Sequence, residues 1–240
     1  MNQYQTRHIA TGALASIIIL TGTAHAAVFN MNTSTGLFAP SERGSAGTTY
    51  LGWDTFDKDP GTGTTGDPAA GIIDDSTPDI GSGFGTGSLV TTNGEDHISS
   101  SLNYYSSTGS VAETIDFTSS GTAGTGFTTI IMQGNTLFGG FIANLQFSDI
   151  LGVAADVVQG ENAAGQGQFW ARWDVPGNQT NYSVDMTTGP FSFVSLDKLT
   201  VDTIWDSSSF AEGTTVIPEP SAWMLIAGGL LTGCLRRRRS

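Results

Sequence analysis

Residues 168–175 read Gln168-Phe169-Trp170-Ala171-Arg172-Trp173-Asp174-Val175. Phe169, Ala171, Trp173 and Val175 alternate with Trp170, Arg172 and Asp174. Side chains on a strand point to opposite faces with period 2, so this pattern predicts a half-buried strand with Phe169, Ala171, Trp173 and Val175 on the core side. Pro176-Gly177-Asn178 ends the run with strong turn chemistry. A second candidate strand, Asn181 to Thr187, follows at once. Thr188-Gly189-Pro190 then closes it, and the apolar runs Phe191 to Leu196 and Leu199 to Trp205 come next. Strand, tight turn and strand in succession predict antiparallel pairing.

The same grammar extends toward the N-terminus. In Val111–Phe117 the positions Val111, Glu113, Ile115 and Phe117 alternate with Ala112, Thr114 and Asp116, and Glu113 interrupts an otherwise apolar face. In Thr48–Phe56 the residues Leu51, Trp53 and Thr55 oppose Tyr50, Gly52 and Asp54, with Trp53 expected in the core. Ala27–Met31, Ser88–Thr92, His97–Tyr105, Val111–Thr118 and Gly126–Gln133 read as further strands, and the apolar run Thr128–Met132 suits a buried central one. Thr136–Leu145 is apolar with a bend expected at Gly139-Gly140. Ile150–Gln159 fits a strand or a short helix. Asp57–Thr77 reads as a long loop. Gly81, Gly83, Gly85 and Gly87 fail the G-x-G-x-x-G fingerprint, because Thr86 stands where its third glycine belongs. Roughly ten short strands with no convincing helix predict an all-β antiparallel β-sandwich.

Composition narrows the function. Residues 27–217 hold all 22 acidic residues of the chain but Glu219, and only Arg43, Lys58, Arg172 and Lys198 among its nine basic ones, leaving a charge near −17. That excludes nucleic acid as a partner, since its binding needs clustered Lys and Arg. It favours solubility or a divalent cation. The one cysteine, Cys234, lies in the tail, so the domain has no disulfide. His97 is the one histidine between residues 27 and 217, no G-x-S-x-G elbow is present, and a zinc site lacks ligands. No catalytic residue is assigned, and the domain is expected to be non-enzymatic. Paired acids such as Asp57 and Asp59 suit Ca²⁺ better than glycoside hydrolysis. Trp170 and Arg172, on the face opposite the core, fit either of two roles. Exposed, they would stack on and hydrogen-bond to a sugar. Covered, Trp170 would pack beneath a loop or against the second sheet.

The two ends are not part of the domain. Met1–Ala26 has the form of a secretory signal peptide. Arg7 and His8 are weakly positive, Ile9–Leu20 is apolar, and Ala24-His25-Ala26 fits the small-x-small cleavage pattern, which makes Ala27 the mature N-terminus. Residues 207–216 read as a polar linker. The last 24 residues begin Ile217-Pro218-Glu219-Pro220, continue through an uncharged stretch at about 221–235, and end in Arg236, Arg237, Arg238 and Arg239 before Ser240. The prolines keep the first part extended and open to an enzyme. The apolar part is short for a bilayer, which needs ~20 residues, but spans with local thinning as a transmembrane helix. The arginines hold the C-terminus in the cytoplasm.

These residues resemble the PEP-CTERM sorting signal of Gram-negative bacteria, with Ile217 in place of the usual valine. The resemblance covers about a tenth of the chain. It implies processing by an exosortase, a membrane-embedded cysteine protease. It also implies transient anchoring in the inner membrane, then a place at the cell surface or in the extracellular matrix, often tied to exopolysaccharide and biofilm. The segment FWARWDVPGN…YSVDM…FSFVSLDKLTVDTIW also resembles, by pattern alone, the last strands of galactose-binding-like jelly-roll modules. The resemblance implies a jelly-roll-like domain at 27–206 that binds carbohydrate, with a structural Ca²⁺.

Overall fold

A computed structural model describes residues 29–30, 36–56, 73–81, 84–92, 97–99, 101–106, 111–137, 142–189, 194–212 and 216–217. All regular structure among them is β. β1 (Phe29–Asn30) pairs in parallel with β14 (Val216–Ile217). The remaining strands form two antiparallel sheets. The strands are β2 (Thr48–Trp53), β3 (Asp74–Asp75), β4 (Gly87–Thr91), β5 (His97–Ile98), β6 (Tyr104–Ser106), β7 (Ala112–Thr118), β8 (Phe127–Thr136), β9 (Gln146–Phe147), β10 (Asp156–Glu161), β11 (Gly167–Pro176), β12 (Asn181–Thr187) and β13 (Val194–Asp206). One sheet runs β10-β11-β8-β13-β6-β5, with β2 beside β6 on the same flank of β13. The other runs β3-β4-β7-β12-β9. The expected all-β sandwich is what the chain forms.

The core lies between the sheets. From the seven-stranded sheet it takes Phe169, Ala171, Trp173 and Val175 of β11, Ile130 and Met132 of β8, Leu199 and Val201 of β13, and Leu51 and Trp53 of β2. From the five-stranded sheet come Leu89, Ile115, Phe117, Tyr182, Val184 and Met186. Every apolar face expected from alternation in these strands points inward. Burying each of these larger side chains contributes roughly 1.5–3 kcal/mol. Trp53 and Trp173 are fully buried. The ring of Phe169 lies over Gly134, its register partner on β8, where an added Cβ would come within 2.6 Å of two ring carbons. Only glycine leaves room for that ring. One end of the core is polar. Asn178 of the expected turn accepts hydrogen bonds at Oδ1 from Ser119 (3.0 Å), Thr128 (3.1 Å) and Tyr182 (3.4 Å). These bonds tie the β11–β12 turn to both sheets.

Several elements differ from the sequence reading, each for a local reason. His97–Tyr105 is not one strand but the hairpin β5–β6, with His97 opposite Tyr105. The Ser99 hydroxyl accepts from the amides of Ser101 and Asn103, and Leu102 adopts φ 63°. Side chain-to-backbone bonding of this kind competes with an extended ladder. The described end of the run Phe191–Leu196, from Val194 on, and the run Leu199–Trp205 are parts of the single strand β13, with a register shift between Leu196 and Lys198. Residues 150–159 split. Leu151 (φ 51°) and Gly152 (φ 79°) make a tight turn closed by Ile150 and Val153, and the strand begins only at Asp156. Asp74–Asp75, placed within a long loop by composition, is a short edge strand on β4. β9 had no sequence signal beyond Phe147. The bend expected at Gly139-Gly140 lies outside the described residues.

Candidate functional site

The outer faces of the two sheets are built very differently. On the seven-stranded sheet, Trp170 of β11, Ile131 of β8 and Ile204 of β13 point away from the core and are nevertheless buried. They form a second apolar cluster under Phe38, Val158 and Ala211. Two straps of chain lie over this face, one before β2 and one after β13.

The N-terminal strap, residues 36–43, is held by side chains of the sheet. The Gln133 side-chain amide accepts from Phe38 N–H and donates to Phe38 C=O, both at 2.9 Å. Arg43 reaches Asp202 of β13 through Nε and Nη2, both at 2.7 Å, and its Nη2 also donates to Phe38 C=O at 3.3 Å. The guanidinium stacks 3.6 Å above the Tyr50 ring. A bidentate, stacked arginine of this kind fixes geometry in a way lysine does not. Asp202 is 2 % exposed. Burial pushes its carboxyl up to about 6 from an ordinary 3.8, against the opposing pull of the Arg43 hydrogen bonds and charge. Burial likewise raises the Tyr50 phenol, with Arg43 pulling it down.

The C-terminal strap continues from β13. Asp206 caps its start, accepting from Ser208 Oγ (2.6 Å), Ser208 N (2.7 Å) and Ser209 N (3.2 Å), and these bonds lower its carboxyl below the ordinary value. Phe210 meets Phe127 edge-on at 5.0 Å. Ala211 N–H donates to Thr129 Oγ1 and Ala211 C=O accepts from Arg172 Nη2, both at 3.0 Å. Arg172 is in turn held by Asp174 at 2.8–3.0 Å. The segment read as a linker from 207 is therefore part of the folded face as far as Glu212.

This arrangement decides the place of Trp170 and Arg172. Trp170 is 1 % exposed, so its ring offers no face for stacking on a sugar. Arg172 is committed to Asp174 and Ala211. Trp170 packs beneath the straps, the covered alternative that the sequence allowed. Asp57 and Asp59 lie outside the described residues. Among the described residues no group of three or more His, Cys, Asp or Glu is placed to hold a metal ion. Sequence reasoning gave no role to Arg43 or Gln133. The one available signal was Arg43 itself, a rare cation in an acidic domain.

The outer face of the five-stranded sheet carries no strap among the described residues. Ser88, Asp116 and Ser183 form one row across β4, β7 and β12. Thr86, Thr118 and Asn181 flank it at the end of a shallow saddle of about 520 Å³. Thr114 donates to Asp185 at 2.7 Å in the next row. The side chains here are short, polar and largely solvated.

The strand β14 leads directly into the tail. Residues 216–239 match the PEP-CTERM protein-sorting motif. The motif implies processing by exosortase, a membrane protease, with export, transient membrane anchoring and then a surface location. Its first two residues, Val216 and Ile217, pair with Phe29 and Asn30, so the start of the sorting motif and the N-terminal segment of the domain lie side by side. Pro218, Glu219, Pro220 and Arg236–Arg239 lie outside the described residues, as do the apolar stretch 221–235 and the signal junction Ala26–Ala27. Among the described residues no helix is long and apolar enough to cross a membrane. No curated protein and no solved structure matches the chain.

Proposed function

We propose that this PEP-CTERM-bearing chain is a non-enzymatic protein of a Gram-negative cell surface or extracellular matrix, associated with exopolysaccharide and biofilm. Signal peptide Met1–Ala26 exports it, the apolar stretch 221–235 and the arginines after it hold it briefly in the inner membrane, and exosortase acts on Pro218-Glu219-Pro220. The observation that carries this reading is the sorting motif at residues 216–239, joined by a short connection to a folded β-sandwich. The non-enzymatic part rests on the sequence, whose domain has one histidine and no cysteine.

Intact-mass analysis of the protein from native cells and their matrix tests the proposal. The expected product starts at Ala27 and ends at or near Pro218–Pro220. Replacing Pro218 and Pro220 by alanine should leave the tail attached. A full-length tail found only in the inner membrane overturns the sorting reading.

A second reading, binding of a neutral glycan, is favoured by the bare face of the five-stranded sheet. Its row of Ser88, Asp116 and Ser183 offers hydroxyl and carboxylate partners for sugar hydroxyls. A glycan screen with the wild-type chain and Asp116→Ala tests it. Binding lost in the variant supports the reading, and a flat response to every glycan removes it.

A further inference from the structure

We propose that the outer face of the seven-stranded sheet is a peptide-recognition site whose resident ligand is the chain's own segment Phe38–Arg43. The same segment of a second copy of this chain can take its place. The proposal is independent of the sorting reading.

Three grips define the site. Gln133, 2 % exposed, pairs with both the N–H and the C=O of residue 38, which reads main chain whatever the side chain. Ile131, Trp170 and Ile204 receive the ring of Phe38. Asp202 takes the guanidinium five residues later in a bidentate pair. The segment contributes no strand to the sheet, so these side chains, and not a ladder of backbone bonds, hold it. Recognition of this form is what a peptide groove uses: a main-chain clamp, one apolar pocket and one charge.

The chemistry also selects the occupant. It must carry an aromatic residue and a cation five positions on. Residues 27–217 hold four cations, and two of them, Arg172 and Lys198, stand on β11 and β13. Among the described residues Arg43 is the cation carried by a segment outside the strands. The strap of another copy brings the same aromatic residue and the same cation to the site. The strap precedes every strand of the two large sheets, so its exchange gives up only the two-residue pair β1–β14. Exchange of an identical element between copies is a low-cost route to association. A strap that leaves exposes a buried carboxylate without its partner, and that state is refilled by whichever identical segment is near.

Charge exchange tests the idea with full-length chains. Arg43→Asp and Asp202→Arg are purified separately in one detergent buffer, then mixed. Each alone carries a like-charge clash in cis. In the mixture, both straps find opposite charges only by crossing to the other chain. The expected result is a molar mass by light scattering twice that of either variant alone, with the double variant Arg43→Asp/Asp202→Arg behaving as wild type. A mixture that keeps the mass of its separate components overturns the proposal. Should Asp202→Arg fail to fold, a labelled peptide of residues 36–44 is titrated into the Phe38→Ala/Arg43→Asp chain, whose site is intact and whose own strap is weakened. Saturable binding at least tenfold tighter than that of the same peptide with Asp in place of Arg43 supports the proposal. Equal or absent binding overturns it.

Discussion

On β11 the outward positions are Trp170, Arg172 and Asp174; on β12, in the opposite sheet, they are Asn181, Ser183, Asp185 and Thr187. Both strands alternate cleanly and both send their apolar set into the shared core. Their outer faces then diverge. Trp170 is buried under straps from both ends of the domain, and the β12 set is exposed. The covered face takes Arg43 and Arg172, two of the domain's four cations, and each arginine fastens one strap. The bare face has acids and hydroxyls in solvent. Alternation assigns a residue to a face. Whether that face meets water depends on what else the chain lays over it.

The largest expected effect breaks the comparison at its centre. Trp170→Ala should cost about 3–5 kcal/mol, the loss typical of a buried aromatic, while Ser183→Ala on the bare face should stay within about 0.5 kcal/mol. Urea unfolding of both variants measures this. Equal costs would mean that the covered face is not a second core.

Removing one strap fastener comes next. Arg43→Ala leaves Asp202 buried without its cation and should cost about 3 kcal/mol at pH 8. The deficit should shrink at pH 5, where a proton replaces the missing cation. A deficit that does not change with pH would place Asp202 in water.

The same carboxyl sets a pH slope. Its value is about 6 in the fold against an ordinary 3.8, so it is raised. A raised group contributes stability that is complete below about pH 4 and lost as pH rises through about 6. The loss is on the order of 3 kcal/mol for a shift of about two pH units. Asp202→Asn lacks this term, so its stability relative to wild type should improve between pH 4 and pH 7. Denaturation curves at several pH values check it; parallel pH profiles would contradict it.

Smallest is a matched pair of threonines. Thr129→Val removes the donor to Asp174 and the acceptor for Ala211 N–H on the covered face, at a cost of about 1 kcal/mol. Thr114→Val removes one exposed bond to Asp185 and should cost about half that or less. Comparable losses would mean that strap burial adds nothing to hydrogen-bond strength.

Much of the sandwich was legible in the sequence. β2, β4, β7, β11 and β12 lie within a residue or two of the runs read as strands, apart from the end of β2, and Trp53 and Glu113 point inward as their strand phase required. The errors fall where local chemistry is weak. Ser99 turned one strand into a hairpin with a single hydroxyl, and β13 bridges two runs because a one-residue register shift does not stop a ladder. For the candidate sites, the sorting motif was readable because it is a linear signal. The strap site was not, because its parts are 159 residues apart at Arg43 and Asp202 and 95 apart at Phe38 and Gln133.

By itself, then, the sequence determined the strand grammar, the acidic character of the domain and the sorting motif at residues 216–239. Each depends only on order along the chain: period 2, a charge count, and three segments in a row. Tertiary structure alone decided that Trp170 is core, that Arg43 and Asp202 meet, and that the two ends of the domain share one face. Those facts depend on which surfaces the folded sheets bring together, and the energy of a buried contact exists only once both partners have left water.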